Sequence, residues 1–424
     1  MSIWSRFSPS FGFVSTRFAG TDGVSLETQK WVDVLESKGC RAYYMAGELD
    51  RPEEVSQLTP KAFFQHPEIV TVHQALFGAK FRRREITNQV YALKEEIKNA
   101  LEAFYERFQF DILVVQNALA IPVNIPLGLA LTEFIAESSI PTIAHHHDFF
   151  WERQQFHSFA AMDYLRSAFP PVLPNIQHVV INSLAGEELA RRTGATWTLI
   201  PNVMDFKSLP PEIDDYTADF RKEIGLDDDS LLIVQPTRLV SRKGIETAIE
   251  LVSRLKLDNI ALVIPHEAGD EGFAYRRRIE EYASYMGVRL IIMNHRIGKT
   301  RGRIADGRKQ YTLWDVYPHA DLVTYPSIYE GYGNAFVEAI YFRKPVLINR
   351  YAIYEADIEP KGFQVIAIDG FITDETIDSV RTTLANRAKF DEMAETNYML
   401  GWRYLSYEML EETFESLLTT IYGA

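Results

Sequence analysis

The sequence predicts an α/β protein built from two successive parallel sheets, each covered by helices, and three observations predict it. Short apolar runs of strand length recur along the 424 residues, with helix-periodic segments between them. Several runs are almost continuously apolar, as strands buried on both faces are. The runs fall into two series, with a proline-bearing, acidic and poorly patterned stretch between them.

The first series comprises residues 11–16, 41–46, 111–116, 141–147 and 178–182. After the first run, Trp31, Val34 and Leu35 recur at helical spacing, and a long amphipathic pattern extends to about residue 107 before the third. The second series comprises 231–236, 260–265, 288–293, 321–325, 345–349 and 364–368. Behind its first run Ile245, Ala248, Ile249, Val252 and Leu255 mark one helix face. The architecture repeats without a sequence repeat. Pro201, Pro210, Pro211 and the acidic residues 212–219 place a boundary near residue 206. The expected organisation is therefore a domain over 1–205, a second over 206–403, and a terminal segment over 404–424. Met409, Leu410, Phe414, Leu417 and Leu418 line one side of its helix.

Composition bounds the function. Lys plus Arg number 44 and Asp plus Glu 58, a formal charge of −14. That argues against a nucleic-acid partner, which needs a positive footprint, but not against a small anion held by a few local cations. One cysteine, Cys40, excludes an intrachain disulfide framework and fits a reducing, cytoplasmic home. The first ten residues carry Arg6 and Pro9 and lack the apolar core of a signal peptide. The most apolar stretch, 112–135, is interrupted by Gln116, Asn117, Pro122, Asn124, Pro126 and Glu133 and does not read as a membrane span. Two basic groups stand out: Lys80, Arg82, Arg83 and Arg84, and Arg296, Lys299, Arg301, Arg303, Arg308 and Lys309. Either could meet an anionic membrane or a phosphorylated acceptor. A solvated face or loop is the more ordinary reading, so a peripheral membrane contact is left unsupported.

The chemistry concentrates in four loops. The run Tyr325-Pro326-Ser327-Ile328-Tyr329-Glu330-Gly331-Tyr332-Gly333-Asn334-Ala335-Phe336-Val337-Glu338 joins a buried strand to an apolar helix over 335–342. Gly331 and Gly333 permit a tight turn, and the amides of Asn334, Ala335 and Phe336 at the helix start suit an anion. Glu330 and Glu338, eight positions apart, suit sugar hydroxyls, since an ionised carboxylate only accepts. The alternative for either is a helix-terminal Glu favoured by the dipole. The loop after 231–236, Thr237-Arg238-Leu239-Val240-Ser241-Arg242-Lys243-Gly244, carries cations to a strand's C-terminal end, where open parallel sheets bind ligands. Gly20-Thr21-Asp22-Gly23 before a helix forms a further anion-ready turn. His145, His146 and His147 are adjacent, but strand alternation turns His146 to the opposite face, so one metal ion cannot easily collect all three. The polar segment from His266 to Tyr275 reads as a solvated loop without an assigned role.

Residues 326–338 resemble the Glu-x7-Glu signature of the retaining nucleotide-sugar glycosyltransferases of family 4. Arg238-Leu239-x3-Lys243-Gly244 is similar to a second motif of that family, with Thr237 in place of its leading glycine. The resemblance implies the GT-B fold, two Rossmann-like domains facing across a cleft with a C-terminal helix crossing back to the first. It implies that Arg238 and Lys243 hold the donor diphosphate, that Glu338 accepts from ribose hydroxyls, and that Glu330 with Gly331, Gly333, Asn334 and Ala335 fixes the hexose and its phosphate. His147 would orient the donor sugar, His145 being the alternative on the same face, and Gly23 would border the donor phosphate. The family's usual Asn-Gly at the domain junction is here Asn202-Val203. No metal or other cofactor is implied beside the nucleotide-sugar co-substrate. The partners implied are a nucleotide-sugar donor, with UDP-glucose favoured on family frequency, and a carbohydrate or small hydroxyl acceptor in polysaccharide or oligosaccharide biosynthesis. A noncatalytic nucleotide-sugar binding subunit and a GT-B sugar epimerase are the alternatives.

Overall fold

The computed structural model describes residues 4, 8–20, 22–266 and 272–423. The chain forms two compact units, one of Met1–Val203 with Tyr407–Ala424 and one of Met204–Ser406. The changes of unit thus fall at 203/204 and 406/407, beside the sequence expectations at 206 and 404.

Among the described residues the first unit holds seven strands: β1 (Ser10–Val14), β2 (Arg41–Ala46), β3 (Ser56–Leu58), β4 (Ile112–Gln116), β5 (Thr142–His146), β6 (Ile176–Val180) and β7 (Trp197–Leu199). They lie in the order β3-β2-β1-β4-β5-β6-β7, every neighbouring pair parallel. Its helices are α1 (Gly23–Ser37), α2 (Pro67–Phe77), α3 (Arg84–Phe108), α4 (Ile125–Ser138), α5 (Met162–Ala168) and α6 (Ser183–Thr193). Strand alternation divides the core. Phe11, Phe13, Ile112 and Val114 face α1, with Trp31, Val32 and Leu35, while Val14, Leu113 and Val115 face Leu101, Phe104, Leu131 and Phe134 of α3 and α4.

The second unit repeats the plan with β8 (Leu231–Val234), β9 (Ile260–Ile264), β10 (Leu290–Ile292), β13 (Leu322–Tyr325), β14 (Val346–Asn349) and β15 (Ile366–Ile368). Their order is β10-β9-β8-β13-β14-β15, again all parallel, and a small antiparallel hairpin, β11 (Gly302–Arg303) with β12 (Lys309–Gln310), stands apart. The helices are α7 (Phe220–Glu223), α8 (Ile245–Leu255), α9 (Gly272–Tyr285), α10 (Leu313–Val316), α11 (Asn334–Tyr341), α12 (Asp374–Ala385) and α13 (Arg387–Leu405). The last helix, α14 (Tyr407–Tyr422), belongs to the first unit. Its Leu410, Phe414, Leu417 and Leu418 join the α1 side of that core, Phe414 meeting Trp31 edge-on at 4.9 Å. Each such side chain buried contributes about 1.5–3 kcal/mol.

Three sequence expectations are corrected. The strand expected at 178–182 is Ile176–Val180, because Asn182 has left the sheet to cap α6, its Oδ1 accepting from Ala185 N–H at 2.8 Å. The strands β3 and β7 and the hairpin were not expected, being too short for an apolar period to register. The basic group at 296–309 is a solvated face only in part, since Lys299, Arg301, Arg303 and Arg308 are exposed while Arg296 is buried and Lys309 half-buried. Arg296, 6% exposed, donates to the Glu223 carboxylate at 2.9 Å, Arg301 to Asp315 at 2.6 Å, and Lys309 to Asp219 at 2.6 Å. Among the described residues no helix is long and apolar enough to cross a membrane.

Candidate active site

In both sheets strand order reverses beside the first strand, between β1 and β4 and between β8 and β13, the place where open α/β sheets bind ligands. In the second unit the loops leaving β8 and β13 carry most of the candidate residues. They dock on one another through backbone. Gly244 has φ +64, and a Cβ there would lie 2.2 Å from Pro326 O, so only glycine lets the loops meet. Ile328 N–H donates to Arg242 O at 2.9 Å, and Arg242 Nη1 donates to Tyr329 O at 3.0 Å.

That docking joins Lys243 to Glu330 in a buried ion pair, each residue 8% exposed. Arg242 Nη1 lies 3.4 Å from the same carboxylate, the Tyr325 ring lies 5.5 Å from Lys243 Nζ, and Gln235 Nε2 donates to Lys243 O at 2.9 Å. Burial lowers the Lys243 pKa, Glu330 opposes, and the Arg242 and Arg238 charges add to the lowering. Arg238 itself is exposed, while Thr237, in the position of the family's glycine, is 3% exposed and donates its N–H to Gln235 O at 2.8 Å. The cationic loop is therefore half anchored and half open.

Gly333 has φ +126, and a Cβ would meet Tyr351 Oη at 2.8 Å. Tyr351 Oη in turn donates to Tyr332 O at 2.6 Å, fixing the turn that starts α11. Gly331 precedes that turn, and Asn334 and Ala335 begin the helix. The amide expectation is corrected at one place: Phe336 N–H donates to Gly333 O at 3.0 Å and is engaged inside the helix start. Glu338 lies one turn into α11 and accepts at Oε2 from Tyr317 Oη at 2.6 Å.

The His266 expectation is also corrected. His266 is half-buried rather than fully solvated. Burial, then the Lys243 and Arg238 charges, lower its pKa to about 4, so it is a neutral ring beside the two cations. Tyr275 is 7% exposed and donates to Glu246 at 2.9 Å, whereas Asp270 and Glu271 lie outside the described residues.

In the first unit the three histidines divide between faces. His145 Nδ1 and His147 Nε2 lie 2.9 and 3.4 Å from Gln116 Oε1, while His146 Nε2 bonds His178 Nδ1 at 2.9 Å on the other side. His147 N–H donates to Asn117 Oδ1 at 3.0 Å. Burial lowers the His147 pKa to about 4, with Asp148 and Asp22 opposing, so the imidazole is neutral. Gly23 is the first residue of α1, and the helix-start expectation there is corrected. The amides of Val24 and Ser25 are capped by Asp22 Oδ1 at 3.1 and 3.2 Å, so the protein's own carboxylate already takes them. Thr21 lies outside the described residues. Among the described residues no three His, Cys, Asp or Glu side chains gather as metal ligands would.

Sequence reasoning gave no role to Arg242 or His266 and missed Tyr317 and Tyr351. Arg242 was legible as the neighbour of Lys243. His266 showed only as the start of a polar segment, and Tyr317 and Tyr351 arrive from separate segments with no local signal.

Comparisons with known proteins agree with this architecture. The chain is 33% identical over 397 residues to the mannosylglucosylglycerate synthase of Petrotoga mobilis, covering 84% of this chain and 86% of that one. It is 31% identical over 427 residues to the mannosylglucosylglycerate synthase of Thermotoga maritima, covering 92% and 95%. A crystal structure of Anabaena Alr3699/HepE in complex with UDP-glucose is similar in fold, with TM-score 0.67 at 12% identity, covering 97% of this chain and 100% of that chain. No protein-family model matches the chain. Two Rossmann-like units of parallel sheet with these loops define a GT-B glycosyltransferase. The chain belongs to the family of the mannosylglucosylglycerate synthases.

Proposed function

We propose that this chain transfers a hexosyl group from a nucleoside-diphosphate sugar to a hydroxyl of a glycosylated glycerate, forming a product of the mannosylglucosylglycerate type. The observation that carries the reading is the Lys243–Glu330 ion pair, which holds an ammonium and a carboxylate where β8 and β13 end, next to Arg238 and Arg242. Fixed cations stabilise the charge that develops on a departing diphosphate without reorganising. Each contributes about 4 kcal/mol of Coulomb energy at contact with an effective dielectric near 20, before desolvation. In this reading Arg238 and Lys243 face the diphosphate, Glu330 with Gly331, Gly333, Asn334 and Ala335 takes the hexose and its phosphate, and Glu338 takes the ribose.

The transfer retains anomeric configuration and needs no metal ion, as in the family 4 enzymes that the motifs resemble. The departing phosphate then accepts the proton of the acceptor hydroxyl as the new glycosidic bond forms. The relatives' names favour mannose over glucose as the transferred sugar, and a small glycerate-bearing acceptor over a polysaccharide. The test incubates the purified chain in excess chelator with glucosylglycerate and, in turn, GDP-mannose, UDP-mannose, GDP-glucose and UDP-glucose. One pair is expected to yield a hexosylated acceptor by mass spectrometry, with retention by NMR. Donor hydrolysis alone, donor epimerisation, or no turnover with any pair defeats the reading.

A further inference from the structure

Glu338 is held from inside the second unit. Tyr317 is 0% exposed, its ring stacks on Phe342 with centroids 4.8 Å and planes 8° apart, and its hydroxyl donates to Glu338 Oε2 at 2.6 Å. Phe342 follows Glu338 by one helical turn, so a ring laid on Phe342 presents its hydroxyl along the face that carries the carboxylate. The segment bearing Tyr317 is itself fixed. Thr312 Oγ1 and Asp315 cap α10 reciprocally, and Lys344 Nζ donates to Pro318 O at 2.8 Å.

Packing alone would accept phenylalanine here, and a buried phenol requires a partner. Burial, reinforced by the Glu338 charge, keeps the phenol protonated well above its ordinary range, so it remains a donor. The bond uses one of a carboxylate's roughly four acceptor positions.

We infer that Tyr317 is a positioning residue, whose hydroxyl locks the Glu338 carboxylate in the one orientation that accepts from the vicinal hydroxyls of a nucleotide ribose. The inference rests on the proposed ribose-binding role of Glu338. A carboxylate free to turn would offer the same charge with less geometric match, so the loss on removing the phenol is confined to ligands that carry those hydroxyls.

The test is calorimetric titration of the full chain with UDP and GDP, with their 2′,3′-dideoxy forms, and with inorganic pyrophosphate. Tyr317→Phe is expected to weaken the cognate ribonucleotide about tenfold, the size of one charge-assisted hydrogen bond. The dideoxy form and pyrophosphate should bind as to the wild type. Equal weakening of the ribo and dideoxy forms, or no weakening of either, overturns the inference. Glu338→Ala separates the underlying reading: if it leaves the ribo-to-dideoxy ratio of the wild type intact, Glu338 does not bind ribose and both ideas fall. Binding of neither UDP nor GDP to the wild type has the same consequence. Should Tyr317→Phe not fold, Phe342→Leu loosens the ring without touching Glu338. A reduced ratio then supports the inference, and an unchanged ratio overturns it.

Discussion

Lys243 and Glu330, 87 positions apart in sequence, form a buried ion pair where the β8 and β13 loops meet. Removing one partner strands a desolvated charge, at a cost of about 3–5 kcal/mol. Lys243→Met and Glu330→Gln are each expected to lower unfolding free energy in urea by an amount of this order. The double variant should lose at least about 1 kcal/mol less than the sum of the two. Additive losses would show that the pair is not coupled.

Arg238 offers the contrasting case, because it is exposed on the same loop. Arg238→Ala is expected to change stability by no more than about 0.5 kcal/mol, the usual range for a surface position. Turnover should fall on the order of 100-fold, as on removal of one charge-stabilising group. Steady-state kinetics beside a thermal melt decides it, and unchanged turnover removes Arg238 from the site.

Two glycines distinguish backbone strain from loop contact. Gly194 ends α6 at φ +75 with open space where a methyl would stand, so Gly194→Ala is expected to cost only the left-handed backbone term, about 1–2 kcal/mol. Gly244→Ala incurs that term and also drives a methyl into Pro326 O. It should therefore destabilise more than Gly194→Ala in urea unfolding and abolish turnover by parting the two loops. Similar losses in both variants would mean that the loops do not need close approach.

Stability should fall with acid before the carboxylates titrate. Burial holds His147, His178, His266 and His319 near pKa 4, against 6.5 when unfolded. Between those values the unfolded chain binds more protons than the folded one. Stability is therefore full above pH 6.5 and is lost as pH falls toward 4. One such histidine accounts for about 3 kcal/mol across the window. The melting temperature is expected to drop measurably between about pH 7 and about pH 5.5, and a flat profile over that interval contradicts the burial of neutral imidazoles.

The sequence by itself determined the two parallel sheets, because strands buried on both faces must be apolar throughout and the intervening helices must show one apolar stripe. It also marked Arg238, Lys243, Glu330 and Glu338, since each lies in a motif whose spacing survives without coordinates. The divided faces of His145, His146 and His147 were legible too, from strand alternation alone. Other features were set only by the tertiary structure. His266 held neutral beside two cations and Tyr317 reaching Glu338 from 21 positions away both depend on which segments the fold makes neighbours. Burial and long-range pairing have no local period, so no window of sequence carries them.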